Sequence, residues 1–163
     1  MSKFIFDRSF SDVERWRTLR DKGWVNMSPT ERKEWLSEIE ITPSAAKGMY
    51  THNDLNRVES GVKEIADLLT IAGHKVPEME IKTDWTYKDT VTKEVMERYL
   101  SNVDKIRGTG VVFKDTPKTP TIDKKLDHLA ANDIEKILND KLIVANNTIN
   151  SWWLSGEIIS GEV

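Results

Sequence analysis

The chain has 163 residues, enough for one domain or two small ones with a real apolar core. It has no cysteine, which excludes disulfides, thiolate metal sites and cysteine chemistry. Its formal net charge of -3 comes from interspersed signs (24 basic, 27 acidic), which argues against nucleic acid as a partner. MSKFIFDRSF lacks a long apolar core of the signal-peptide kind, and no apolar run nears the roughly 20 residues of a membrane span. A soluble product of the cytoplasm is expected. Six tryptophans are many for this length, and they suit cores and interfaces alike.

In chain order, residues 11–22 read as a short helix, with Ser11 and Glu14 at capping-box spacing and Gly23 closing it. Val13, Trp16 and Leu19 or Arg20 share one face. Ser28-Pro29-Thr30-Glu31 is a strong helix start. Trp35, Leu36 and Ile39 give that second helix its apolar face, and Thr42-Pro43 ends it.

Residues 53–72 carry the clearest amphipathic stripe: Leu55, Val58, Val62, Ile65, Leu69 and Ala72. Thr51 or Asn53 caps its start, and Gly73 closes it. Gly61 is expected to permit a close helix crossing. Residues 76–91 alternate like a strand around Ile81, Thr83, Trp85 and Tyr87. A lone strand cannot satisfy its own backbone, so a loop pinned by Trp85 is favoured.

A helix over about 93–107 starts at Thr92, with Met96, Tyr99, Val103 and Ile106 on one face. Gly108 and Gly110 end it. The prolines of 108–121 favour an extended connector. The last helix is expected over about 122–150, on Leu126, Ala130, Ile134, Leu138, Leu142, Ala145 and Ile149. Leu129, Ile137 and Val144 widen its apolar face. SWWLSGEIISGEV then reads as an extended tail, either folded back or adding a strand to a partner's sheet.

The expected fold is therefore mainly α: a small bundle of about five helices with extended connectors and an extended C-terminal tail. Its segments are 1–75 (helical), 76–121 (extended segment, helix and connector) and 122–163 (long helix and tail), which can also pack as one unit.

A search for chemistry finds little. His52, His74 and His128 form no zinc-binding spacing. No nucleophile elbow, P-loop, dinucleotide fingerprint or EF-hand is present. Asp54 with Glu59, or Asp133 with Glu135, are nominal carboxylate pairs better explained by solvated faces and helix starts. The expectation is a non-enzyme with no metal or cofactor. A weak echo relates Asn53-Asp54-Leu55-Asn56-Arg57-Val58-Glu59 to Asn132-Asp133-Ile134-Glu135-Lys136-Ile137-Leu138.

Several segments together carry a resemblance: IFDRSFSDVERWRTLRDKGWVNMSPTERKEWL, YTHNDLNRVESGVKEIADLL, MERYLSNVDKIR, NDIEKIL and SGEIISGE. In this order they resemble a family of tail and baseplate structural proteins from phages and prophages of Gram-positive bacteria. The resemblance spans most of the chain. It implies a virion component, made in the host cytoplasm, that docks other tail or fibre proteins and is present in several copies. It also implies an architectural role for the motif positions Asp7, Arg8, Asp54, Asn56, Arg57, Glu59, Arg98, Tyr99 and Asn102. Buried Asn or Arg at helix contacts fixes register.

An interface is expected at Trp152, Trp153, Leu154, Ile158 and Ile159, because two adjacent tryptophans cannot share one helix stripe. The competing function is a carbohydrate- or receptor-binding module that uses Trp24, Trp85, Trp152 and Trp153 as stacking faces.

Overall fold

The computed structural model describes residues 4–40, 47–122 and 126–160, and the side chains of these except 37–40 and 152–160. Five helices follow one another: α1 (Phe10–Lys22), α2 (Pro29–Glu40), α3 (His52–Ile71), α4 (Lys93–Gly108) and α5 (His128–Ser160). A single 3-10 turn, Trp24–Asn26, links α1 to α2. No strand occurs among the described residues, and segment 76–91 is a loop held at a buried Trp85, as favoured from the sequence.

Local chemistry sets the helix ends. Thr51 and Thr92 cap α3 and α4, and Thr51 forms a capping box with Asp54. Ser28 and Glu31 form the reciprocal pair that starts α2. Gly23 and Gly73 take positive φ just past α1 and α3. The box of α1 is Ser9 with Asp12, not Ser11 with Glu14. Asp12 Oδ2 accepts both the backbone N–H and the hydroxyl of Ser9, which closes the turn two residues early. Glu14 is instead taken up by Arg17.

Helix α5 differs most from expectation. It starts at His128, where the Asp127 carboxylate accepts the Ala130 N–H. It then continues through Trp152, Trp153, Leu154, Ile158 and Ile159 to Ser160. The tail expected to be extended is thus helical over this stretch. No proline interrupts it, and a formed helix propagates readily through residues of middling propensity. The side chains of these five residues lie outside those described, so the interface expectation on them stands as a proposal. Thr42-Pro43 and residues 161–163 also lie outside the described residues.

Helices α3, α4 and α5 make the core and run in the same direction. Glu59 of α3 pairs with Arg98 of α4, and further along, His74 lies against Gly110. Arg57 pairs with Glu135 of α5, and one turn on, Gly61 faces Leu138. Leu100 and Ala130 line one cavity, and Lys141 reaches Thr109. Short loops join antiparallel helices. Parallel ones need a chain that travels back, and here extended segments at 74–92 and 109–122 belong to the two connectors that do so.

Ile65, Leu69, Val103, Ile106, Ile134, Ile137 and Leu138 are fully buried between the three helices. Leu129, expected on the apolar face, is 60% exposed. Helices α1 and α2 pack beside each other through the stacked rings of Trp16 and Trp35.

Gly61 does not serve a helix crossing in the expected way. A Cβ there would lie 2.6 Å from the Phe4 ring, while its nearest approach to α5 is Leu138 at 3.5 Å. The glycine makes room for the N-terminal segment. Gly61→Ala should therefore lower the melting temperature despite alanine's helix propensity. In a Phe4→Ala background the same change should become neutral or stabilising, by up to roughly 1 kcal/mol. Thermal melts of the two singles and the double check this.

Candidate functional site

The motif residues picked out from the sequence converge on the connectors and on the N-terminal segment. Asn56 is the simplest case. Its amide nitrogen donates to Trp85 O (2.9 Å) and its oxygen accepts from Trp85 N–H (2.7 Å). This two-way pairing replaces the neighbour strand that the extended backbone lacks. Glu59, 1% exposed, accepts the Lys82 N–H at 2.7 Å and both guanidinium nitrogens of Arg98 at 2.6 and 3.0 Å. Arg98 and Asn102 donate to Glu80 O, and Lys105 donates to Glu78 O. As the connector proceeds from 78 to 85, its partners step backwards along α4 and then α3.

Trp85 is buried beneath this lattice, with Lys82 Nζ 5.0 Å and the Arg98 guanidinium 6.0 Å from its ring centroid. That burial removes it from the set of exposed stacking faces considered for sugar.

Lys141 and Asp140 treat the second connector in the same way. Thr116 Oγ1 donates to Asp140, and Arg107 donates to Pro117 O. Lys141, 1% exposed, donates to Thr109 O and Val111 O, both at 2.7 Å.

The N-terminal segment is held by a buried ionic cluster. Glu135 Oε1 accepts from Arg8 (2.7 Å) and Arg57 (2.8 Å). Its Oε2 accepts from Arg57 Nε (3.0 Å) and from the Ile5 N–H (2.7 Å). Asp54, also the capping residue of α3, accepts from Arg8 at 2.9 Å and pairs with Arg57. Asn132 repeats the asparagine device, exchanging two hydrogen bonds with the backbone of Arg8. Two cations thus balance two anions, each bonded more than once, which is the condition for burying charge.

Asp7 and Arg8 do not pair with each other. Asp7 takes Lys47 on the surface, and Arg8 turns inward. Tyr99 lies beside the cluster, its hydroxyl 2.5 Å from that of Tyr50. Burial, reinforced by the charges of Glu135 and Asp54, holds the Tyr50 pKa above its usual value. Burial and the Tyr50 hydroxyl do the same for Tyr99. Burial alone would lower the Arg57 pKa, but Glu135 and Asp54 outweigh it and the net shift is upward. At neutral pH the two tyrosines are therefore uncharged and Arg57 is charged.

Glu135, Asn132, Tyr50 and Lys141 were not singled out as architectural residues from the sequence. A signal existed for two of them. Glu135 interrupts the stripe Ala131–Leu138–Leu142, and Lys141 interrupts Ile134–Leu138–Ala145. A charge inside an apolar stripe marks a buried ionic or carbonyl contact.

No protein family, curated protein or solved structure matches the chain. Among the described residues no cluster of acidic and histidine side chains is arranged to hold a metal ion, and no helix is long and apolar enough to cross a membrane.

Two outcomes are expected. Asn56→Ala strands the N–H and C=O of the buried Trp85 and should cost about 1–3 kcal/mol in denaturant unfolding, whereas Asn102→Ala leaves Glu80 O with Arg98 as donor and should cost less. Lys141 has a lowered pKa of about 8, from burial first and then the charge of Arg107. Its neutral amine still offers two N–H groups to its two carbonyls. Folded Lys141 sheds its proton near pH 8, whereas the unfolded lysine keeps it to 10.5. Between these values the unfolded state binds more protons, so stability rises with pH. The unfolding free energy of the wild type should gain on Lys141→Met as pH rises from about 8 towards 10. A flat difference would show that Lys141 does not titrate in this window.

Proposed function

We propose that the chain is a structural adaptor of a phage tail or baseplate: a clamped helical body that presents one helix end to a neighbouring protein. The observation that carries this reading is the length of α5. Its 33 residues span about 50 Å. The register of Arg57 with Glu135 and Gly61 with Leu138 brings the end of α3, at Ile71, level with about Ile149. Roughly three further turns of α5 follow, and they hold Trp152, Trp153, Leu154, Ile158 and Ile159. An apolar helix end of this composition suits a protein partner, because tryptophan supplies large contact area at low entropic cost.

The motif residues support the same reading. Asn56, Glu59, Arg98 and Asn102 are bonded to the chain's own connector, and Arg8, Asp54 and Arg57 to one another and Glu135. The reading is of a non-catalytic component that works without a cofactor and is carried in the virion in several copies.

Mass spectrometry of gradient-purified particles from a host that carries the gene should find the chain at fixed stoichiometry, with a multiple of three or six pointing to tail or baseplate. Its absence from particles, despite expression in the lysate, overturns the reading. Removal of 152–163 should leave a body that melts cooperatively but no longer joins particles. Loss of the fold on truncation would make this segment core rather than interface.

A further inference from the structure

We propose that copies of this chain associate head to tail, with the Trp24–Val25 tip of one copy seated in an apolar, acid-lined cavity beside the start of α5 in the next. The tip is the convex half of this pair. Trp24 is 47% exposed and Val25 is 84% exposed. What sets them apart from scattered surface residues is how firmly their turn is held. Arg32 of α2 donates to Trp24 O and to Val25 O, both at 3.2 Å, and its guanidinium lies 5.3 Å from the centre of the Trp24 ring. The Asn26 side chain donates to Lys22 O, and Lys22 pairs with Glu31 across the turn. The indole is thus displayed in one place, which lowers the entropic cost of docking it. Arg32 pairs with no carboxylate among the described residues and adds an unspent positive charge to the tip. Tryptophan and arginine are among the residues that dominate the binding energy of protein interfaces.

The concave half lies between α4, the second connector and the start of α5. This cavity has a volume of about 450 Å³, and Met96, Leu100, Ile122, Leu126 and Leu129 give it apolar walls. Asp127, Asp133 and Lys118 line it as well. Asp127 is engaged by the Ala130 N–H, whereas Asp133 has no cationic partner among the described residues. Burial first, and then the charge of Asp127, holds the Asp133 carboxyl above its ordinary pKa. A cation brought beside it relieves both effects. The cavity therefore lacks what the tip carries: an apolar body and an unpaired guanidinium.

The tip does not fill the cavity of its own chain. Phe10, the first residue of α1, lies against His128, with ring centres 6.3 Å apart, next to Asp127 and Leu129 of the cavity. From there the 13 residues of α1 carry the tip about 20 Å away. Two different surfaces meet in this contact, so it either closes into a ring or runs on as a row of copies. It deepens the multi-copy reading given above and rests on it, but it uses a surface other than the α5 end.

The test is analytical ultracentrifugation of the full chain from about 10 μM to about 1 mM. The mean mass should rise with concentration, because a small interface associates weakly. Trp24→Ala and Val25→Asp on the tip, and Asp133→Lys in the cavity, should each weaken association at least tenfold. Val25→Asp removes little packing and Asp133→Lys removes a charge that burial disfavours, so both should melt as the wild type does. A mixture of these two variants holds one intact tip and one intact cavity per pair. It should form a one-to-one dimer and grow no further. A wild type that stays monomeric to about 1 mM overturns the head-to-tail contact, and the particle measurement then still decides the adaptor role. Association unchanged in all three variants also overturns it and assigns self-contact to the α5 end. A mixture that stays monomeric overturns it in favour of a symmetric contact between two tips.

Discussion

The common direction of α3, α4 and α5 is the constraint on which the rest depends. Three parallel helices cannot be joined by tight turns, so the chain between them must travel back along the bundle, and where it is described it does so in largely extended form. Extended chain without a neighbouring strand exposes its N–H and C=O groups, and where it is pressed against a core those groups must be satisfied. The helices supply the partners. Asn56, Glu59, Arg98, Asn102 and Lys105 serve the first connector, and Arg107, Asp140 and Lys141 the second. Polar residues that look out of place on amphipathic helices are thereby part of the packing.

The ionic cluster at Glu135 follows the same logic for the N-terminal segment. Its four charges are almost wholly withdrawn from water, and an equally bulky apolar set would hold the segment at least as firmly. What the charges add is direction. Arg8 fits only where Asp54, Glu135 and Tyr50 meet, and Phe4 then falls into the notch left by Gly61. A purely apolar segment would be free to slide along the groove between α3 and α5.

Much of this was legible in the sequence, and its limits are physical. Helix caps are local, so Ser28-Pro29-Thr30-Glu31, Thr51 and Thr92 announced their helices directly. The stripe of α3 did the same at a period of 3.6, and the prolines of the second connector marked it as extended. The start of α1 was misread because two serines compete within three residues, and only the reach of Asp12 back to Ser9 decides between them. The course of α5 was misread because glycine and serine near 155–156 weaken a helix without breaking it. The candidate site was half visible. DLNRVE and RYLSNV stood out as polar motifs, yet their partners are backbone atoms of a connector or a glutamate 78 residues away from Arg57. The internal echo aligned Asn53 with Asn132, whereas Asn56 and Asn132 are the pair that perform the same task.

The tie between Ile5 and Glu135 joins residues 130 apart. Its consequence lies in the order of events during synthesis. The ribosome releases the N-terminal segment first, but its dock is incomplete until α5 has emerged. Phe4, Ile5 and Phe6 therefore stay uncovered until then, and the notch at Gly61 waits empty beside them. Local helices can form as they appear, while final closure is a late, long-range event that sets the pace of folding. Until that closure, segment 4–6 is an apolar stretch open to premature association.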